Sequence, residues 1–153
     1  MAFSVGEIIH VPKYLFKDGT EKETGKFLVI LTITEKQTVL VNLTTTQNAQ
    51  LFEDSTGGCY QIDGHRIGFH FRKDEPIFTN DSFFQKDTFL IPTGQIIEHP
   101  ISYLTTKYPT ITSKGILKKE LFTEVLYCLI KTGFVSKRNV LLLEKQLTEL
   151  MNE

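Results

Sequence analysis

Residues 26–34 read KFLVILTIT. The run is apolar almost throughout and rich in β-branched side chains. Such a segment does not alternate, so it predicts a central strand covered on both faces. The next run, TVLVNLT at 38–44, does alternate. Val39, Val41 and Leu43 share one face, while Thr38, Leu40, Asn42 and Thr44 share the other.

Turn signals divide the rest of the first hundred residues. Asp18-Gly19, Gly57-Gly58, Asp63-Gly64, Pro76, Asn80-Asp81, Pro92 and Gly94 punctuate short apolar runs. That pattern predicts strands at 6–12, 26–34, 38–44, 59–62, 66–72 and 83–91. Strands this short and this numerous close more readily into a small barrel than into a large sandwich.

The period changes after Ser113. Leu117, Leu121, Val125 and Leu129 recur every four residues, with Phe122, Leu126 and Ile130 in the adjoining row. This is a helical stripe running from about 113, with Gly133 in the left-handed position after it. A second helix is expected from an N-cap at Ser136 to Leu150, and a short one over 101–108, ended by Pro109. The expected class is α+β, a single domain over 1–153, with a barrel over about 5–98 and a helical tail over about 101–151. A chain of 153 residues can bury such a core without staples.

Cys59 and Cys128 are far apart and form neither a disulfide framework nor a zinc motif. They read as two thiols in a reducing compartment. The N-terminal residues show no signal-peptide pattern, and the longest apolar runs are far too short to span a bilayer. The expected location is cytoplasmic, with no membrane partner.

Net charge is −1, with nine basic against thirteen acidic residues over 1–100 and eight against five over 101–153. A protein that grips long duplex DNA is usually more basic. Short single-stranded RNA remains compatible with a local patch. No nucleotide-binding glycine fingerprint, nucleophile elbow or HExxH motif occurs.

Residues 65–72, HRIGFHFR, carry the densest chemistry. On a strand, His65, Ile67, Phe69 and Phe71 fall on one face, the core face with His65 at its edge. Arg66, Gly68, His70 and Arg72 fall on the other, solvent-facing one. His65 and His70 point apart and cannot share a metal from a regular strand, so no metal or other cofactor is expected. The polar row suits a wet face paired with Asp74 and Glu75. It also suits an anion-binding row, since arginines two apart are spaced roughly 6.5–7 Å along a strand. Thr44-Thr45-Thr46 is either a strand end or a cluster of hydroxyls at a barrel mouth. Of Phe83 and Phe84, a strand turns one ring outward, where it could stack on a base.

The stretch GEIIHVPKYLFKDGTEKETGKFLVIL resembles the opening of PemK/MazF-like toxins, and VLVNLTTTQ and the helical SKGILKKELFTEVLYCLIKTG are similar to later parts of that family. The resemblance covers residues 5–47 and, loosely, 110–133. It implies an SH3-like barrel of about six strands with a C-terminal helical hairpin. It also implies metal-independent cleavage of single-stranded RNA by 2′-oxygen attack, a cognate antitoxin and a homodimer. Carried over by position, the catalytic residues are Lys26 and Thr44 or Thr45. Lys26-Phe27 stands where the family has Arg-Pro, and lysine offers a point charge without the bidentate fork. His70 or Arg66 would supply the missing acid or charge stabilisation, and Arg66, Arg72, Lys22 and Phe84 would contact RNA. The loop KDGTEKETG would act as a lid. The competing reading is a catalytically inactive SH3-like barrel that binds a protein partner or RNA, with the basic helical tail as the docking surface. A third is a structural subunit of a larger assembly.

Overall fold

The computed structural model describes residues 2–153; the side chain of Lys22 lies outside the described part. The chain opens with β1 (Glu7–Val11), a small hairpin of β2 (Tyr14–Leu15) and β3 (Glu21–Lys22), then β4 (Lys26–Ile33) and β5 (Thr38–Thr45). A single 3-10 turn over Ala49–Phe52 precedes β6 (Gly58–Gln61), β7 (Ile67–Phe71), β8 (Thr88–Leu90) and β9 (Ile96–Pro100). α1 (Ile101–Lys107), β10 (Thr112–Ile116), α2 (Lys119–Lys131) and α3 (Lys137–Met151) complete it.

The main sheet runs β10-β1-β4-β5-β8-β7-β6, with β9 also on β5. Every pairing is antiparallel. The far side of β5 is divided: Thr38–Asn42 pair with β9, and Thr44 and Thr45 pair with β8. The sheet therefore forks at β5. It remains open among the described residues, with β10 and β6 at its edges, and does not close into the expected barrel.

β4 is covered on both faces, as its uniform apolar sequence predicts. On one side Ile8, Val29, Leu31, Leu40, Phe69 and Phe71 pack against α2 and α3, through Val125, Leu129, Leu143 and Leu147 among others. On the other side Ile9, Leu28, Ile30, Val39 and Val41 meet Leu104 of α1, Tyr108 and Ile111. The alternation expected for β5 holds, with the difference that Leu40, Asn42 and Thr44 are also buried, beneath the second layer.

The C-terminal third differs from its expected outline at one point. Residues 113–116 are not helical. They belong to β10, which adds to the free edge of β1 with Glu7 opposite Ile116 and His10 opposite Thr112. Lys118 is extended (φ −57, ψ 141), and the helix begins at Lys119. The amphipathic stripe extends one residue, Leu117, beyond the helix that carries it. Ser136 caps α3 as expected, its side chain accepting the Asn139 N–H at 3.2 Å. Gly133 takes a positive φ of 75 after α2.

Cys59 and Cys128 are joined in a disulfide, correcting the expectation of two separate thiols. β6 is the outer strand of the sheet and lies against α2. A 69-residue separation hides that proximity from sequence reading. Among the described residues no helix is long and apolar enough to cross a membrane.

Candidate functional site

Two adjoining cavities share a floor of Lys26, Thr44 and Thr45. The floor follows from strand order. β4 and β5 are antiparallel with Leu28 opposite Leu43, so the first residue of one strand lies beside the last residue of the other. Continued two residues, the register sets Lys26 beside Thr45. The smaller lobe, about 320 Å³, adds Arg66, Asn48, Thr93 and Gln95. The larger, about 650 Å³, adds His10, Phe16, Gln47 and Lys86. No carboxylate lines either lobe among the described residues.

The two threonines differ in what they can offer. Thr44 is 4% exposed and donates its hydroxyl to the Phe27 carbonyl at 2.9 Å. Thr45 accepts the Gln47 N–H at 3.1 Å, which leaves its O–H to be donated. Lys26 lies half-buried at the head of β4, its Nζ 6.0 Å from the centre of the Phe16 ring.

Gly25 shapes the entrance. Its φ is +79, and a Cβ there would come within 2.5 Å of His10 Nε2 and 2.9 Å of the Val11 carbonyl. Only glycine lets the chain turn into β4 this close to β1.

Arg66 is held by Asp63. The Asp63 carboxylate accepts the N–H groups of His65 and Arg66, each at 2.8 Å, and Arg66 Nε at 2.9 Å. Those bonds, the His65 N–H first, hold the Asp63 pKa down from 3.8 to about 2. A depressed folded-state value means that the contribution is present above 3.8 and is lost as pH falls through about 2. A carboxyl NMR titration is therefore expected to give Asp63 a midpoint near 2. A midpoint at the ordinary aspartate value would show that the turn does not clamp Arg66.

The remaining expected site residues lie elsewhere. His70 is 9% exposed, which corrects its placement on a solvent-facing row. β7 is covered on both faces, and His70 packs against Phe89 and Phe52. Its Nδ1 meets Ser55 Oγ and its Nε2 meets Asp87 Oδ1, each at 2.9 Å. Burial pushes the Asp87 pKa up, but the bonds from His70 and the Lys73 N–H outweigh it and leave a net lowering. His70 and Arg72 line a separate cavity of about 190 Å³ beside Gly57 and Gly58, so the row parts from Arg66. His65, expected at the core edge, is exposed. Phe84 is 4% exposed and packs on Phe27 and Phe78, so it is no stacking platform; the outward ring is Phe83, at 39%. Thr88–Leu90 alone of the expected 83–91 strand is extended, so simple alternation from residue 83 does not apply.

The loop expected as a lid, 17–25, holds the turn and second strand of the β2–β3 hairpin, and the first strand of that hairpin is pinned. The Phe16 and Gly19 N–H groups close its turn. The Leu15 N–H donates to Tyr108 Oη, and Tyr14 Oη bonds His99 Nε2, each at 2.9 Å. Burial, then Tyr108 and Tyr103, pushes the Tyr14 phenol up to about 12.

His10, Phe16 and Lys86 were not singled out in the sequence. His10 was reachable by the argument that joins Lys26 to Thr45: the end of one strand faces the start of its antiparallel neighbour. Lys86 lies in irregular chain and carries no such signal. Among the described residues no group of three or more His, Cys, Asp or Glu comes together as metal ligands would.

No family model, curated protein or solved structure matches this chain.

Proposed function

We propose that the protein is a metal-independent endoribonuclease of the toxin–antitoxin kind, cleaving single-stranded RNA through 2′-oxygen attack. One observation carries the reading. Lys26, Thr44 and Thr45 form the floor of a groove with Arg66 on one side and Lys86 on the other, and among the described residues no acidic side chain lines it. Among the described residues none of the chain's 18 acidic side chains enters this lining, which suits an anionic ligand.

A backbone phosphate over the floor would meet the Lys26 ammonium and the Thr45 hydroxyl. Both stabilise charge developing on the non-bridging oxygens as the 2′-oxygen attacks. Lobes on either side of the floor suit an internal segment of strand rather than a chain end. The reading carries with it an SH3-like ancestry for the β1–β4–β5 core, a cognate antitoxin, a homodimer and a cytoplasmic setting.

A second reading, RNA binding without cleavage, draws on the commitment of the Thr44 hydroxyl to a backbone carbonyl and on the absence of a guanidinium fork at position 26. One experiment separates the two. A long synthetic RNA incubated with the protein and EDTA is expected to yield fragments ending in 2′,3′-cyclic phosphate and 5′-hydroxyl. A 2′-O-methyl RNA should bind and stay intact. Binding of both without fragments would establish the second reading, and binding of neither would overturn both.

A further inference from the structure

We propose that His10 is the general base of this groove, taking the proton from the ribose 2′-hydroxyl. The inference rests on the ribonuclease reading above.

The imidazole lines the larger lobe together with Lys26, Thr45 and Lys86. Its Nε2 lies 3.0 Å from the Thr24 carbonyl oxygen. A carbonyl can only accept, so Nε2 carries the hydrogen. In the neutral ring Nδ1 then keeps the lone pair, and the backbone fixes the tautomer. Catalytic bases need such a third group to orient them. The ring is also fixed in position. The Phe27 ring lies against it, centroid to centroid 4.9 Å, and the missing Cβ of Gly25 makes room for it.

The strand ends bring base and cation to one lobe. β1 and β4 pair His10 with Phe27 and Val11 with Lys26. His10 and Phe27 therefore share one face of the sheet and Val11 and Lys26 the other, so the imidazole and the ammonium leave neighbouring strands on opposite faces and meet only at the strand ends, where both residues line the larger lobe. The other hydrogen-bonded imidazoles are differently disposed. Both nitrogens of His70 are engaged, by Ser55 and Asp87. His99 Nε2 meets Tyr14 Oη, away from the groove. Among the hydrogen-bonded imidazoles of the described residues, His10 is the one that lines the groove and has a ring nitrogen available to substrate.

The step balances without metal or redox partner. Nδ1 takes the 2′-hydroxyl proton, and the 2′-oxygen forms a bond to phosphorus. The bond from phosphorus to the 5′-oxygen breaks, and that oxygen leaves with a proton from the Lys26 ammonium. The products are a 2′,3′-cyclic phosphate and a 5′-hydroxyl. Proton return from His10 to Lys26 through water restores the site.

The test uses His10→Ala, His10→Gln and Lys26→Ala in the full chain. Glutamine keeps a donor for the Thr24 carbonyl but cannot take a proton. Both His10 variants are expected to bind 2′-O-methyl RNA within about twofold of wild type and to cleave ordinary RNA at least ~100-fold more slowly, the usual range for losing a general base. Added imidazole should restore cleavage to His10→Ala and leave the slow cleavage by Lys26→Ala unchanged. Wild-type cleavage by His10→Gln would make His10 a clip for the Thr24 carbonyl and overturn the proposal, leaving the ribonuclease reading intact. Absence of imidazole rescue would likewise overturn it. A wild-type chain that binds RNA and never cuts it would end both.

Discussion

Replacing Lys26 with alanine is expected to slow RNA cleavage by ~100- to 1000-fold, the range seen when one charge-stabilising group is removed from a reaction centre. The unfolding midpoint should scarcely move. Lys26 is half-buried at the first position of β4, ahead of the fully buried Leu28, Val29, Ile30 and Leu31. The substitution leaves those four side chains untouched. Lys26→Arg should bind RNA as wild type does yet cleave slowly, because guanidinium keeps the charge but does not release the proton that the leaving 5′-oxygen takes. Binding of 2′-O-methyl RNA by Lys26→Ala should weaken and become less salt-dependent, as one phosphate contact is lost. Full cleavage by Lys26→Ala would remove the shared floor of the two lobes from the chemistry.

Opening the disulfide is expected to produce the largest change in stability. Cys59 and Cys128 are 69 residues apart, and closing a loop of that length restricts the unfolded chain by about 4 kcal/mol in the entropy account. Native-state strain usually trims such values, so about 2–4 kcal/mol is the expected loss. Urea unfolding of the double variant Cys59→Ala, Cys128→Ala checks it against the oxidised wild type. Reductant should lower the wild-type midpoint and leave the variant's unchanged. Cleavage by the folded variant should persist, because neither cysteine lines either lobe. Equal midpoints with and without reductant would show that the bond does not constrain the unfolded chain.

The central features of the fold could be read because they are local. KFLVILTIT carries its double burial in its own composition, and the Ser136 cap and the stop at Pro109 depend on neighbours in sequence. The meeting of Lys26 with Thr45 was legible for a related reason: an antiparallel pair always brings a beginning beside an end. What escaped depends on distant contacts. His70 reads as a solvent-facing residue until Phe52, Phe89, Ser55 and Asp87 close around it. Cys59 meets Cys128 through the docking of α2 on β6. β10 reads as the start of a helix because TSKGI has no apolar alternation of its own and is recruited by the free edge of β1. Phe84 turns inward since the chain before β8 is irregular.

The sandwiching of β4 and β5 between two apolar layers also governs how this molecule can be dissected. A truncation before α2 would strip the cover from Ile8, Val29, Leu31 and Leu40. The strands that carry Lys26 and Thr45 would then have one dry side and one wet side. Their buried faces would pair with each other across molecules. Catalytic groove and supporting framework are therefore inseparable by deletion, and mapping either one calls for single side-chain replacements within the intact polypeptide.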